Sequence, residues 1–520
     1  MSGISIVAIL GVLSDEEAVN FETIIGLEVH AQLLTKSKMY CRCSADYAST
    51  PPNTHVCPVC LGMPGVLPVI NRQAVEYTIM TALALNCAIS DYTKFDRKNY
   101  PYPDLMKGYQ ISQYDAPIGQ HGRLTIEVDG EKKKIGITRV HLEEDVAKLL
   151  HRTSPSGEDY SLVDVNRSGV PLMEIVGEPD LRSPEEARQY LIKLRSILQY
   201  LGVSTGNMEE GSFRCDANIS LRPEGSSDFT AKVEVKNMNS FKAVYLAMEY
   251  EARRQRQAVA EGKRLIQETR GWVEAKGKTV SQRSKEYAHD YRYFPEPDLP
   301  PLVISREWVE AVRAKLSELP EARRDRFMAE YGLPLYDADL LTNSKAMADY
   351  FEEFVEEIVK IGKLINLSKS EKAKEAGKWL VGEASRIMNA NNIDMIEFRK
   401  RISPRYFALL LTEYLQGIVN STTGKSVLEE MFQTSKSADV IINERGLLQI
   451  SDTGQLEETV LEVINSNAQP VADYRAGKEQ AFKFLVGQVM KATKGRANPK
   501  LVNEVLKQKL AEALNTAGER

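Results

Sequence analysis

The sequence predicts an α+β protein: a mixed or antiparallel sheet over residues 21–301, then two all-α segments, 302–405 and 406–520. Three observations predict it. Apolar and polar residues alternate along Phe21–Leu34, Ser212–Leu221 and Lys232–Lys236, the period of strands with one buried face. Asp129-Gly130 between two alternating runs, Arg123–Val128 and Lys132–Ile137, signals a hairpin. After residue 304 the strand signals vanish, and helical stripes such as Tyr350, Phe351, Phe354, Ile358 and Ile361 take over. Four prolines within 295–301 mark the boundary between the two regimes.

Composition narrows the class. At 520 residues, 43% hydrophobic and 27% charged, the chain reads as an ordinary multidomain globular protein. A net charge of −5 carries no global signal for nucleic acid, which leaves only local basic patches. No apolar run approaches the roughly 20 residues of a membrane span. Six cysteines are too few for a disulfide scaffold and point to a reducing, cytoplasmic setting. Residues 1–20 hold a short apolar run, Ile4–Leu13, with no Lys or Arg before it and Asp15-Glu16-Glu17 behind it. They read as a disordered extension or a misplaced start rather than a secretion signal.

In chain order, Glu28 and His30 lie two apart on the first strand and so share a face, fit for one cation, one proton relay or plain solvent. Cys41-x-Cys43 and Cys57-Pro-Val-Cys60 follow, with residues 44–56 between them. This is the spacing of a structural zinc site, the alternative being reduced thiols, and His55 is a spare ligand. Asn71–Leu85 reads as a helix. Phe95–Asp104, broken by Pro101 and Pro103, reads as an irregular loop; its Arg97 and Lys98, with Lys107 just beyond it, either meet phosphate or are solvated. His141-Leu-Glu143-Glu144-Asp145 reads on its own as a solvated acidic turn; burying it would need a cation. Glu174 sits inside the apolar run Pro171–Val176, where a lone carboxylate needs a partner or a metal. Ser183-Pro184-Glu185-Glu186 starts a helix with a capping box, stopped near Gly202. On the strand from Ser212 the polar face carries Arg214, Asp216 and Asn218, with Glu209 and Glu210 just ahead of it; it suits Mg²⁺ or is a solvated outer face. Asn239 or Ser240 caps a second long helix that runs to about Glu261 and ends at Gly262. The aromatic run Tyr291-Arg292-Tyr293-Phe294 either stacks on a base or ribose or plugs a domain edge. Lys491, Lys494, Arg496 and Lys500 surround a Gly turn between two helices, a phosphate-backbone contact or a solvated face.

Glu28, His30, Glu143, Glu144, Glu174, Glu210 and Asp216 all fall on or beside strands. On one sheet they would repel one another without divalent cations. Carboxylates with Mg²⁺ and ATP imply phosphoryl transfer, and with no GxxxxGK[ST] loop present the phosphates are held through metal. The competing class is a non-catalytic binding or assembly component with solvated acids; a third is a free-standing kinase or ligase acting on a small carboxylate.

Gly26–His30, the four cysteines, Phe95–Pro103, Arg139–Asp145, Pro171–Val176, Met208–Ser220, Lys236–Phe241 and Asp290–Pro301 together resemble the B subunit of the glutamyl-tRNA(Gln)/aspartyl-tRNA(Asn) amidotransferase. The similarity spans about residues 21–520. It implies a catalytic cradle over 21–301, distantly like glutamine synthetase and guanidino kinases, a helical domain over 302–405 and a tRNA-binding tail over 406–520. It also implies ATP-dependent phosphorylation of the side-chain carboxylate of misacylated Glu-tRNA or Asp-tRNA. Amidation follows, with ammonia from an amidase, the A subunit, in a complex wrapped by a small C subunit. By motif match, Glu28, His30, Glu143 and Glu174 are the expected magnesium ligands. Glu210 and Asp216 join the nucleotide-metal site, Arg97, Lys98 and Asn218 contact the cofactor, and Cys41, Cys43, Cys57 and Cys60 hold zinc.

Overall fold

The computed structural model describes residues 20–226, 230–284, 291–447, 453–493 and 496–515. The chain divides into two compact units between Leu319 and Pro320. The expected extension lies outside the described residues except for Asn20, as does Lys494.

Among the described residues of the first unit, nine strands form one mixed sheet: β1 (Phe21–Gln32), β2 (Ala88–Ile89), β3 (Gly119–Val128), β4 (Glu131–Glu144), β5 (Pro171–Gly177), β6 (Phe213–Pro223), β7 (Val233–Lys236), β8 (Glu268–Val273) and β9 (Lys278–Ser284). Their order in space is β9-β8-β7-β6-β1-β5-β4-β3-β2. Neighbours are antiparallel except β7 and β8. The hairpin between β3 and β4 turns at Asp129 (φ 53°) and Gly130 (φ 82°), two left-handed residues whose twist matches the strands.

Period-2 alternation splits the sheet. Ile25, Leu27, Val29 and Ala31 of β1 are buried with Val140 and Leu142 of β4 and Phe213, Cys215, Ala217 and Ile219 of β6. They pack with three helices, α1 (Arg72–Ala84), α2 (Pro184–Tyr200) and α3 (Phe241–Ala260). Each fully buried side chain of this size contributes about 1.5–3 kcal/mol. The intervening residues carry the polar chemistry on the opposite face.

Each helix is capped as its sequence dictates. Asn71 accepts from the N–H groups of Gln73 and Ala74. Ser240 accepts from Ala243 N–H at 3.0 Å. Ser183 accepts from Glu186 N–H at 3.1 Å, but Glu186 reaches past it to Arg182 N–H at 2.7 Å, so the capping box closes one residue early.

Two expectations are corrected. The stretch expected to be an irregular loop contains a strand, Asp96–Asn99, paired with Tyr109–Ser112 and Phe294–Pro295; the prolines fall just beyond it, where they break no ladder. The expected acidic turn is the buried end of β4: Glu143, Glu144 and Asp145 are 2%, 3% and 1% exposed.

The second unit is helical from Pro320–Tyr331 to Pro499–Asn515. One core is built from residues between Phe327 and Ile442, another from residues between Leu456 and Leu510. Residues 405 and 406 both lie inside the helix Pro404–Leu415. Among the described residues, no helix is long and apolar enough to cross a membrane.

Gly122 lets the end of α1 approach β3. A Cβ there would stand 2.4 Å from Cys87 Sγ and 2.7 Å from the Leu85 carbonyl. Because backbone is in the way, Gly122→Ala is expected to lower stability by about 1–3 kcal/mol, read as a fall in the urea midpoint at unchanged slope.

Candidate active site

Strand register brings the acids together. Across the sheet His30 of β1 faces Glu174 of β5 and Arg214 of β6, while Glu174 faces His141 of β4. His30 Nε2 lies 3.5 Å from both Glu143 Oε1 and Glu174 Oε2, and His141 Nε2 lies 3.2 Å from Glu174 Oε2. One ligand atom each from His30, Glu143 and Glu174 falls within 4.8 Å of the others. Burial disfavours the charged form of His30, but the hydrogen bond and charge of Glu174, with the charge of Glu143, outweigh it and raise its pKa to about 9. For Glu174, burial acts upward, and the two imidazoles overcome it and hold the carboxyl well below its ordinary value. Glu174 and Glu143 thus favour the protonated form of His30. One half-buried imidazole nitrogen and two buried carboxylates, convergent, are a donor set that fits a divalent cation.

Glu28 lies two residues from His30 on the same face and outside this trio. It accepts from Asn218 Nδ2 at 2.9 Å and faces Asp216 across β1 and β6. Asp216 pairs with Lys236 at 2.8 Å, and Lys236 also reaches Glu234 at 3.2 Å. A cleft of about 420 Å³ opens here, lined by Gly26, Glu28, Asn218, Ser220, Thr230 and Lys232 among others. Glu210 is exposed on the turn before β6 and is not brought into the trio.

The other buried acids have dedicated cations. Glu144 accepts from Lys107 and from Ile111 N–H at 3.0 Å. Asp145 accepts from Arg214 at 2.9 Å and Gln32 at 2.7 Å, with Arg167 at 3.8 Å. Arg97 is committed to Glu296 through two 2.7 Å bonds. Lys98 is in no ion pair among the described residues. Burial opposes its charge, yet Glu143 and its other anionic neighbours hold its pKa well above the ordinary lysine value.

The four cysteines converge independently: all four sulfurs lie within 4.8 Å of one another, and Cys57 and Cys60 are 3.8 Å apart. That is the tetrahedral edge expected for Zn–S bonds of about 2.3 Å. Cys41 hydrogen-bonds Cys60, which draws the Cys60 pKa down to about 4 against burial and pushes its own up. Burial raises Cys43 to about 11. Four sulfurs this close share protons when metal-free, and a cation in their midst would displace them. His55 is outside the set; its N–H donates to Asn166 at 2.8 Å. Asn53 and Asn166 fasten this loop to the segment entering β5: Asn53 accepts from Val165 N–H at 2.7 Å, and Asn166 donates to the Pro51 carbonyl at 2.8 Å.

In the tail, Lys491 and Lys500 are exposed, while Arg496 donates to the Gly446 carbonyl at 3.1 Å. Sequence reasoning missed His141 as a site residue. The signal was present: His141-x-Glu143 repeats the two-residue spacing of Glu28-x-His30.

Comparison with known proteins identifies the family of the chain. The family described as the GatB/GatE catalytic domain matches residues 23–310, and the GatB domain matches 349–510. The B subunit of the aspartyl/glutamyl-tRNA(Asn/Gln) amidotransferase of Dehalococcoides mccartyi strain 195 is 60% identical over 95% of this chain and 99% of its own. The proteins of the same name from Carboxydothermus hydrogenoformans and Moorella thermoacetica are 53% and 55% identical, over 95% and 94% of this chain and 99% and 100% of theirs. The chain is thus one component of an enzyme, an amidotransferase of the ligase class. It belongs to the family of B subunits of the aspartyl/glutamyl-tRNA(Asn/Gln) amidotransferases.

Asp145 gives a stability prediction. Its carboxyl is held below the ordinary value: burial raises it, but Arg214 and Arg167 lower it further. A depressed folded pKa contributes stability that is present above the unfolded value and is lost as pH falls through the folded one. Asp145→Ala, which strips the half-buried Arg214 and Arg167 of a buried partner, should cost about 1–3 kcal/mol at pH 7. The deficit in urea midpoint relative to wild type should narrow as pH drops below about 4.

Proposed function

We propose that this protein phosphorylates the side-chain carboxylate of misacylated Glu-tRNA(Gln), Asp-tRNA(Asn) or both, using ATP and Mg²⁺, and hosts the amidation that follows. The observation that carries the reading is the meeting of His30, Glu143 and Glu174 on the open sheet face, next to the cleft lined by Glu28, Asn218 and Lys232. His30, Glu143 and Glu174 would hold the cation, with Glu28 and Asp216 facing the nucleotide side. The cleft is the size of a small-ligand site and would receive ATP, with Lys232 at its rim for phosphate.

The chemistry follows from the substrate. A carboxylate is a poor electrophile; attack of its oxygen on the γ-phosphorus releases ADP and leaves an acyl phosphate with a good leaving group. Magnesium, when bound, neutralises charge on the phosphates. Ammonia then adds to the acyl carbon and phosphate departs, giving the amide. Since water would hydrolyse the acyl phosphate, ammonia must be supplied internally. An amidase partner, the A subunit, is the proposed source, with a small C subunit completing a cytoplasmic heterotrimer.

The domain reading accompanies it: 21–301 as a catalytic cradle like that of glutamine synthetase and guanidino kinases, 302–405 as a helical domain, and 406–520 as a tRNA-binding tail working through Lys491, Lys494, Arg496 and Lys500. Zinc on the four cysteines would brace the segment entering β5 and so the position of Glu174.

Three measurements test this. In the reconstituted complex, Glu28→Ala or His30→Ala should abolish amidation, at least ~100-fold, while glutamine hydrolysis persists; full amidation refutes the site. Metal analysis should find about one zinc per chain, and metal-free protein of equal stability would remove the zinc. The double variant Lys491→Gln/Lys500→Gln should weaken tRNA binding and reduce the slope of log K against log salt by about 2; an unchanged slope makes these lysines a solvated face.

A further inference from the structure

An aromatic wall stands beside the acid cluster. Tyr114 and Tyr293 stack with centroids 4.1 Å apart and rings 11° from parallel. Tyr291 meets Tyr293 edge-on at 6.0 Å and Tyr100 at 5.7 Å. The Lys98 ammonium lies 5.2 Å from the Tyr291 ring centroid.

Two fastenings hold the wall. Tyr114 N–H donates to buried Asp96 at 3.2 Å. Asn99 donates through its side chain to the Arg292 carbonyl at 2.9 Å and through its N–H to the Tyr291 carbonyl at 2.9 Å. These bonds hold Arg292 at φ 45°, a left-handed conformation that a residue with a Cβ adopts at a cost of order 1–3 kcal/mol. The strained turn lets Tyr291 and Tyr293 reach the same wall.

Despite this anchoring, Tyr114 is 58% exposed. A ring that merely sealed a domain edge would be covered; this one is held rigid and presented to solvent. Its place is fixed relative to the acids. Ser112 donates to Glu143 at 3.3 Å, and Leu142 N–H donates to Gln113 at 3.0 Å, so Tyr114 follows two residues after a direct contact with the cluster, roughly 7 Å along an extended chain. The nucleotide-sized cleft is formed by β1, β5 and β6, on the side of His30 away from this wall.

We propose that the stacked Tyr114–Tyr293 pair is the platform for the terminal adenine of the charged tRNA, which sets the aminoacyl ester beside His30, Glu143 and Glu174. Every tRNA ends in adenosine and carries its amino acid on that ribose. Stacking there is specific for position and indifferent to the tRNA body. The proposal rests on the function inferred above and adds the residues that position its substrate.

The test uses the full complex with charged tRNA. Tyr114→Ala should raise KM for the charged tRNA roughly tenfold, the size of one lost base stack, with KM for ATP and the rate of glutamine hydrolysis unchanged. Tyr114→Phe, which keeps the ring, should stay within about twofold of wild type. With 2-aminopurine as the terminal base, fluorescence should be quenched on binding to wild type and to Tyr114→Phe, and not on binding to Tyr114→Ala. An unchanged KM and persistent quenching in Tyr114→Ala overturn the proposal; so does a rise in KM for ATP in place of tRNA, which would assign the wall to the nucleotide's adenine. A wild-type complex that binds no charged tRNA would instead refute the functional reading itself.

Discussion

Carboxylates can gather in a dry place only against positive charge, and this sheet meets that constraint in two different ways. Glu144 and Asp145 are buried against Lys107, Arg167 and Arg214, an ammonium and two guanidinium groups. Glu143 and Glu174 instead face His30 and His141. An imidazole can give up its proton and become a ligand; a guanidinium cannot. The imidazoles therefore set Glu143 and Glu174 apart from acids paired only with Lys or Arg, although the Arg139 guanidinium also comes within 4.0 Å of Glu174.

Register makes this sorting possible. β1 is central, flanked by β5 and β6, so one strand places Glu28 and His30 within reach of three others, β4, β5 and β6. A slip of one residue would turn Glu28 and His30 toward α1, α2 and α3 and bring Leu27 and Val29 to the open face. The apolar face fixes the register, and the register fixes the acids. The chemistry is thus specified by residues that take no part in it.

Much of this was legible in the sequence because period 2 is a local property. The alternation from Phe213 onward, the Asp129-Gly130 turn and the caps at Ser183 and Ser240 needed no knowledge of the rest of the chain. What was not legible depended on distant partners. Three successive acids look solvated until Lys107, Arg167 and Arg214 arrive from elsewhere. Arg97 looks free for phosphate until Glu296, about two hundred positions later, claims it. Asp96–Asn99 looks like loop because its prolines dominate the local pattern, while the strands that pair with it lie before Gln113 and after Arg292. His141 stayed hidden because its role is set by Glu174 on another strand.

The division of the sheet into a packed face and an open one has an evolutionary consequence. Neighbouring positions on β1 and β6 answer to different selective pressures: odd residues to volume and shape, even ones to charge and hydrogen bonding. Side chains of the second kind can be exchanged, the charged ones together with their partners, without disturbing how the helices seat beneath them. A scaffold built this way keeps its architecture while its reactivity drifts, and new catalytic repertoires can be tried on it at little risk to foldability.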